Sequence, residues 1–233
     1  MVYLDFKQIP YYCIMIKRIL LRILLVLGII IVVLVVNYFM FGIIASGVSE
    51  GEPIENRDPE RVALLVIDIQ EGTTGSISFT ESYIDQSESL IADVNRLVSE
   101  AVAGGWHIIW IRTEVTNPLI NVLNSTLARG SLGAELDRRL DTSTGELVVK
   151  KRNDSFINTP LDSILEERGI GRLVVAGLDA EHCVLNAIEA AVNRGYELTV
   201  FGETVIAEDD AKMAEMLEIY KAMGVEVLSL KRR

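Results

Sequence analysis

Three side chains in this sequence could carry out a hydrolysis together. Asp68 follows the apolar run "ALLVI", Lys150 ends "ELVVK", and Cys183 stands six residues beyond the glycine that closes "RLVVAG". A thiolate is a strong nucleophile, but a thiol with a pKa of about 8.5 is mostly protonated at neutral pH. A helix N-terminus and a nearby ammonium both lower that pKa. Cys183 opens an apolar-periodic stretch, and Lys150 can supply the ammonium, so a thiolate at neutral pH is expected. Asp68 would take the thiol proton and later hand it to a leaving group. Backbone N–H groups in the turn before the helix would receive an oxyanion. Taken singly, each residue has a plainer role: a buried small hydrophobe, a turn cap and one member of the basic run 150–152.

What could bring residues over a hundred positions apart to one place is an alternation of elements. Apolar runs at 61–69, 106–113, 146–151, 172–177, 197–202 and 225–230 read as strands. Between them, Leu90, Ile91, Val94, Leu97, Val98 and Ala101 recur at helical spacing up to Gly104-Gly105. Thr159-Pro160 opens a second helix. Val184, Ile188, Ala191 and Val192 mark a third, and Glu208, Asp209 and Asp210 suit the positive start of a fourth. Continuously apolar strands separated by helices predict an α/β fold: a three-layer, mostly parallel, six-stranded Rossmann-like sheet with helices on both faces. Ligands in such sheets bind beyond the carboxyl ends of the strands. Residues 114–146 lack any period and read as a long loop of the kind that covers substrates.

The segments "ALLVIDIQ", "GSLGAELDRRL…GELVVKK" and "KKRNDSFINTPLDSILEERGIGRLVVAGLDAEHCVLNAIEAAVNRGYELTVF" resemble the isochorismatase-like cysteine hydrolase superfamily over about residues 60–230. That group includes nicotinamidases and N-carbamoylsarcosine amidohydrolase. Its pattern is an Asp after the first strand, a Lys six residues before a Phe, and G-[apolar]-x-x-x-x-C-V. Asp68, Lys150 with Phe156, and Gly177-Leu178 leading to Cys183-Val184 match it. The Phe spacing selects Lys150 over Lys151. The resemblance implies a cis Leu178–Asp179 peptide, an oxyanion hole from the N–H groups of Asp179 and Cys183, and a small amide or ureido substrate. It also implies a homo-oligomer. Gln70, Phe156 and His182 are the expected substrate contacts, with a structural role equally open to His182. Two departures stand out. Asp179-Ala180 replaces the usual Ala-Thr, which leaves a non-catalytic binding module on the same fold as the alternative to a cysteine amidohydrolase. The histidines that hold a metal in nicotinamidases are missing from "QEGTTGSISF", so neither a metal nor another cofactor is expected. True isochorismatases lack the cysteine, which points Cys183 away from vinyl-ether hydrolysis.

The remaining organisation lies at the N-terminus. From Ile23 to Ala45 the only clearly polar residue is Asn37, and 23 residues of helix would cross the roughly 30 Å hydrocarbon core. Lys7, Lys17, Arg18 and Arg22 precede this run, while Glu50, Glu52 and Glu55 follow it. Basic flanks stay in the cytoplasm, so a single-pass signal anchor with an extracytoplasmic catalytic domain is expected. A cleaved signal peptide is the rival, although "IIASG" is a poor cleavage site. The expected division is a tail and transmembrane helix at 1–47, a polar linker at 48–60 and a hydrolase domain at 61–233. Cys13 and Cys183 fall on opposite sides of the span and cannot pair within one chain. The formal net charge of −11 argues against nucleic acid as a partner. Neither dinucleotide nor P-loop glycine motifs follow the first strand.

Overall fold

A computed structural model of the chain describes residues 9–54 and 57–230, with side chains from residue 14 onward. The chain divides between Gly42 and Ile43 into two compact units. The first holds most of helix α1 (Ile9–Ala45), whose stretch Ile14–Ala45 is long and apolar enough to cross a membrane. Its side chains are almost all exposed, as those of a helix facing lipid would be.

The second unit contains a six-stranded sheet in the order β3-β2-β1-β4-β5-β6. Its strands are β1 (Asp58–Ile67), β2 (His107–Thr113), β3 (Glu146–Lys150), β4 (Ile170–Gly177), β5 (Glu197–Val205) and β6 (Glu226–Leu228). Every pairing is parallel. The side-chain period of two sends Ala63, Leu65 and Ile67 to one apolar layer and Leu64 and Val66 to the other. On the first face the sheet is covered by α4 (Leu161–Glu167), α5 (Cys183–Asn193) and α6 (Asp210–Ala222). On the second, α2 (Glu81–Ala103) buries Leu90, Ile91, Val94, Leu97, Val98 and Ala101, the residues its periodicity selects. A short helix, α3 (Pro118–Leu123), starts in the loop after β2, where the Asn117 carboxamide accepts the N–H groups of Leu119 and Ile120. Its lack of buried residues explains why no apolar period announced it.

The segment expected to be a linker is bonded to the domain. Ser49 donates through N and Oγ to the buried Asp154 carboxylate, at 2.8 and 2.7 Å. The guanidinium of Arg194 reaches Ser49 Oγ at 3.0 Å and lies 4.2 Å over the Phe156 ring. Ile54 N donates to Arg194 O at 2.8 Å. Val48 and Ile54 pack on the apolar layer under α4 and α5. The segment therefore runs from Ser46, which accepts from Asn186 early in α5, to the end of that helix. Gly51 is required in it, because it has a φ of +65° and a Cβ there would come within 2.3 Å of the Arg194 guanidinium.

Candidate active site

Strand register brings the three chemical residues together. Ile67, the last residue of β1, pairs with Ile111 on one side and Gly177 on the other, and Thr113 pairs with Lys150. The chain ends of β1, β2, β3 and β4 are thus level. Asp68 follows β1 in the left-handed region, with φ at 56°, which turns the chain out of the strand. Its N–H donates to Ile111 O at 2.8 Å, and its carbonyl accepts from Thr73 Oγ1 at 2.7 Å. Gly177 closes β4 at a φ of +122°, and a Cβ there would lie 2.0 Å from Ile67 O. Only glycine lets the two strand ends approach this closely.

Lys150 links the other two groups. Its ammonium is 2.8 Å from Asp68 Oδ2, 3.1 Å from Cys183 Sγ and 3.1 Å from Arg152 O. The second Asp68 oxygen accepts from Thr113 Oγ1 at 2.9 Å. Lys150 is buried while Lys151 is exposed. Burial opposes the Lys150 charge, but the Asp68 carboxylate beside it outweighs burial and raises the pKa. Lys150 is therefore an ammonium.

The same surroundings act against the expected thiolate. Burial is the largest influence on Cys183, the Asp68 carboxylate adds to it, and Lys150 opposes both; the thiol is pushed up to about 12. A buried ammonium already neutralised by a carboxylate has little left to offer a second anion. The Asp68–Lys150 ion pair therefore favours the thiol form of Cys183 beside it.

The turn before α5 supplies unpaired donors. The Leu178–Asp179 peptide is cis. The N–H groups of Ala180, His182 and Val184 find backbone acceptors, and that of Glu181 donates to Asp179 Oδ1 at 2.7 Å. Among the described residues, the N–H groups of Asp179 and Cys183 find no acceptor. They are the two donors the resemblance assigns to an oxyanion. The carboxylate that departs from the usual Ala-Thr is engaged internally. Asp179 Oδ2 accepts from Tyr83 Oη on α2 at 2.9 Å.

The expected substrate contacts divide. His182 is exposed beside the nucleophile. Gln70 is fully buried and committed to backbone: Nε2 donates to Thr113 O and Ala134 O, and Oε1 accepts from Thr113 N. It clamps three loops and has no donor left for a ligand. Phe156 is also buried, against Tyr196 and Arg194, and shapes the turn after Lys150 from beneath. Sequence reasoning missed two residues. Thr113 ends β2, and the strand-end rule that found Asp68 and Lys150 applies to it equally. Asn153 lies in the turn between Lys150 and Phe156, with Oδ1 3.7 Å from Cys183 Sγ. Its N–H donates to Ala45 O at 3.0 Å.

The donors after β1 do not suit a metal. Glu71 is paired with Arg138, and Asp137 accepts from Arg139 and Thr74. His107 begins β2, at the opposite edge of the sheet, next to Glu146. His182 belongs to the turn beyond β4.

The fold recurs in known proteins. N-carbamoylsarcosine amidase from Thermoplasma acidophilum superposes with a TM-score of 0.64 at 22% identity, over 74% of this chain and 98% of that one. Nicotinamidase from Staphylococcus aureus gives 0.58 at 24%, over 73% and 98%. The pyrazinamidase of Pyrococcus horikoshii, solved in complex with zinc, gives 0.62 at 21%, over 73% and 99%. At these identities the likeness is one of fold. A model of the isochorismatase domain matches residues 62–232, nearly the whole second unit, and on that match the chain belongs to the isochorismatase family.

Proposed function

We propose that the chain is a membrane-anchored cysteine amidohydrolase that cleaves a small amide or ureido C–N bond. One observation carries this reading: the contact series Asp68–Lys150–Cys183 is unbroken, and in the turn before α5 the N–H groups of Asp179 and Cys183 find no acceptor among the described residues. As Cys183 Sγ bonds to the substrate carbonyl carbon, its proton passes to Asp68. The carbonyl oxygen becomes an oxyanion held by the N–H groups of Asp179 and Cys183. Lys150 offsets the charge gathering on sulfur. The tetrahedral adduct collapses, Asp68 gives its proton to the departing nitrogen, and ammonia or an amine leaves a thioester. Water then attacks the thioester carbon and loses a proton to Asp68. The sulfur leaves as thiolate and recovers that proton. No step needs a metal.

The binding-only alternative rests on Asp179-Ala180 in place of Ala-Thr. The Asp179 carboxylate accepts from Tyr83 Oη and Glu181 N, which supports a structural use for the new carboxylate and leaves Asp68, Lys150 and Cys183 intact. The test is ammonia release by the full chain in liposomes over a panel of small amides. Cys183→Ala should abolish turnover, and Asp68→Asn should lower kcat far more than it raises KM. Ammonia release that survives Cys183→Ala would end the thioester mechanism. Loss of activity on chelation would end its metal independence.

A further inference from the structure

We propose that the loops around the mouth of the site form a bilayer-contacting surface, so that Cys183 works at the lipid interface. The inference rests on the anchored reading and adds a partner, the bilayer itself. The apolar run ends at Ala45 with no spacer, and the Ala45 carbonyl accepts from Asn153 N at 3.0 Å. Asn153 Oδ1 is 3.7 Å from Cys183 Sγ, and Ser46 O accepts from Asn186 at 2.9 Å. A chain that leaves the hydrocarbon at Ala45 is thus bonded at once to the turn beside the nucleophile. The polar interface on each side of the hydrocarbon core is itself roughly 5–8 Å deep. The residue that ends the apolar run is held at the carboxyl edge of the sheet.

The second observation is where the domain exposes apolar side chains. Beyond α1, the four most exposed large apolar residues among those described are Phe79 (84%), Val122 (76%), Leu132 (62%) and Leu123 (58%). Phe79 lies on the loop after β1, and the other three lie between β2 and β3. All four belong to connections that leave the carboxyl ends of strands, the edge that Ala45 joins. The next most exposed, Val102 (54%), stands at the opposite edge near the end of α2, without such companions, and it is the shared edge of the four that marks an interaction surface. An aromatic and aliphatic rim beside the end of an apolar helix fits an interface between water and lipid. A second copy of the chain is the competing occupant.

The experiment measures depth and needs no activity, so its failure is distinct from failure of the hydrolase reading. Single tryptophans replace Phe79 or Val122 at the rim, Val102 at the opposite edge near the end of α2, and Val33 within α1. Each full chain is reconstituted in phosphatidylcholine vesicles with and without brominated acyl chains. Native Trp106 and Trp110 provide the background. Loss of emission is expected for Val33→Trp, Phe79→Trp and Val122→Trp, and none beyond background for Val102→Trp. Quenching of Val33→Trp alone overturns the proposal and leaves the anchor standing. No quenching even of Val33→Trp removes the anchor, and the proposal with it. Equal quenching at the rim and Val102 overturns the proposal as non-specific contact. Rim tryptophans shielded from aqueous iodide but untouched by brominated lipid, in a chain that sediments as a dimer, overturn it in favour of a second copy.

Discussion

At the scale of single residues, the site sets Cys183 beside an Asp68–Lys150 ion pair, and burial with the Asp68 charge favours its thiol form. Sequence made Cys183, Asp68 and Lys150 legible because each sits at a strand end or helix start, where a parallel sheet concentrates chemistry. The protonation state was not legible, because it depends on how completely Asp68 uses the Lys150 charge. This has a measurable consequence. Iodoacetamide labelling of Cys183 in the wild-type chain should rise steadily from pH 7 to pH 10, with no plateau, since the thiol is pushed up to about 12. Asp68→Asn removes a negative charge that raises the thiol pKa and leaves the Lys150 ammonium. That variant should therefore label faster at pH 8 while turning over far more slowly. Lys150→Met removes the charge that lowers the pKa and should label more slowly still, and exposed Lys151→Met should change nothing. A wild-type rate that plateaus below pH 7 would mean a resting thiolate.

At the scale of elements, the segment that leads from the apolar helix into β1 is part of the fold. Its composition (acidic, with Gly and Pro) is that of a linker, and no apolar period marks it. Its contacts are legible only in three dimensions, because Ser49 meets Asp154 and Arg194 at separations of 105 and 145 residues. Removing it strips Asp154 of two donors and Arg194 of Ser49, and uncovers the apolar layer beneath Val48 and Ile54. Loss of hydrogen bonds to charged groups costs about 1.5–3 kcal/mol each, offset in part by water reaching them and by the freed chain entropy. A fragment beginning at Ser46 should therefore be more stable than one beginning at Asp58 by about 2 kcal/mol or more in urea unfolding. Ser49→Ala in the longer fragment should recover about half of that difference. Equal midpoints for the two fragments would show that the segment is a passive tether after all.

At the scale of the whole molecule, the parallel sheet was readable from six apolar runs and their intervening helices. The Ile23–Ala45 run was readable for a different reason, since uninterrupted apolar length is demanded by lipid and seldom by a protein core. Charge asymmetry gives the chain a direction as well. Lys17, Arg18 and Arg22 lie just before the run, and the next basic residue after it is Arg57. Positive flanks resist translocation, so residues after Ala45 should face away from the cytoplasm. Within the second unit, the bond from Asn153 N to Ala45 O keeps the residue that ends the apolar run at the turn beside Cys183. A reporter that functions only outside the cytoplasm, fused after Arg233, should be active. Neutralising Lys17, Arg18 and Arg22 together should lower that activity and raise that of a cytoplasmic reporter at the same position. Inserting a flexible Gly-Ser stretch between Ser46 and Gly47 should leave both reporters unchanged, since orientation is decided before the domain folds. A wild-type chain active only with the cytoplasmic reporter would reverse the orientation and place Cys183 in the compartment where thiols stay reduced.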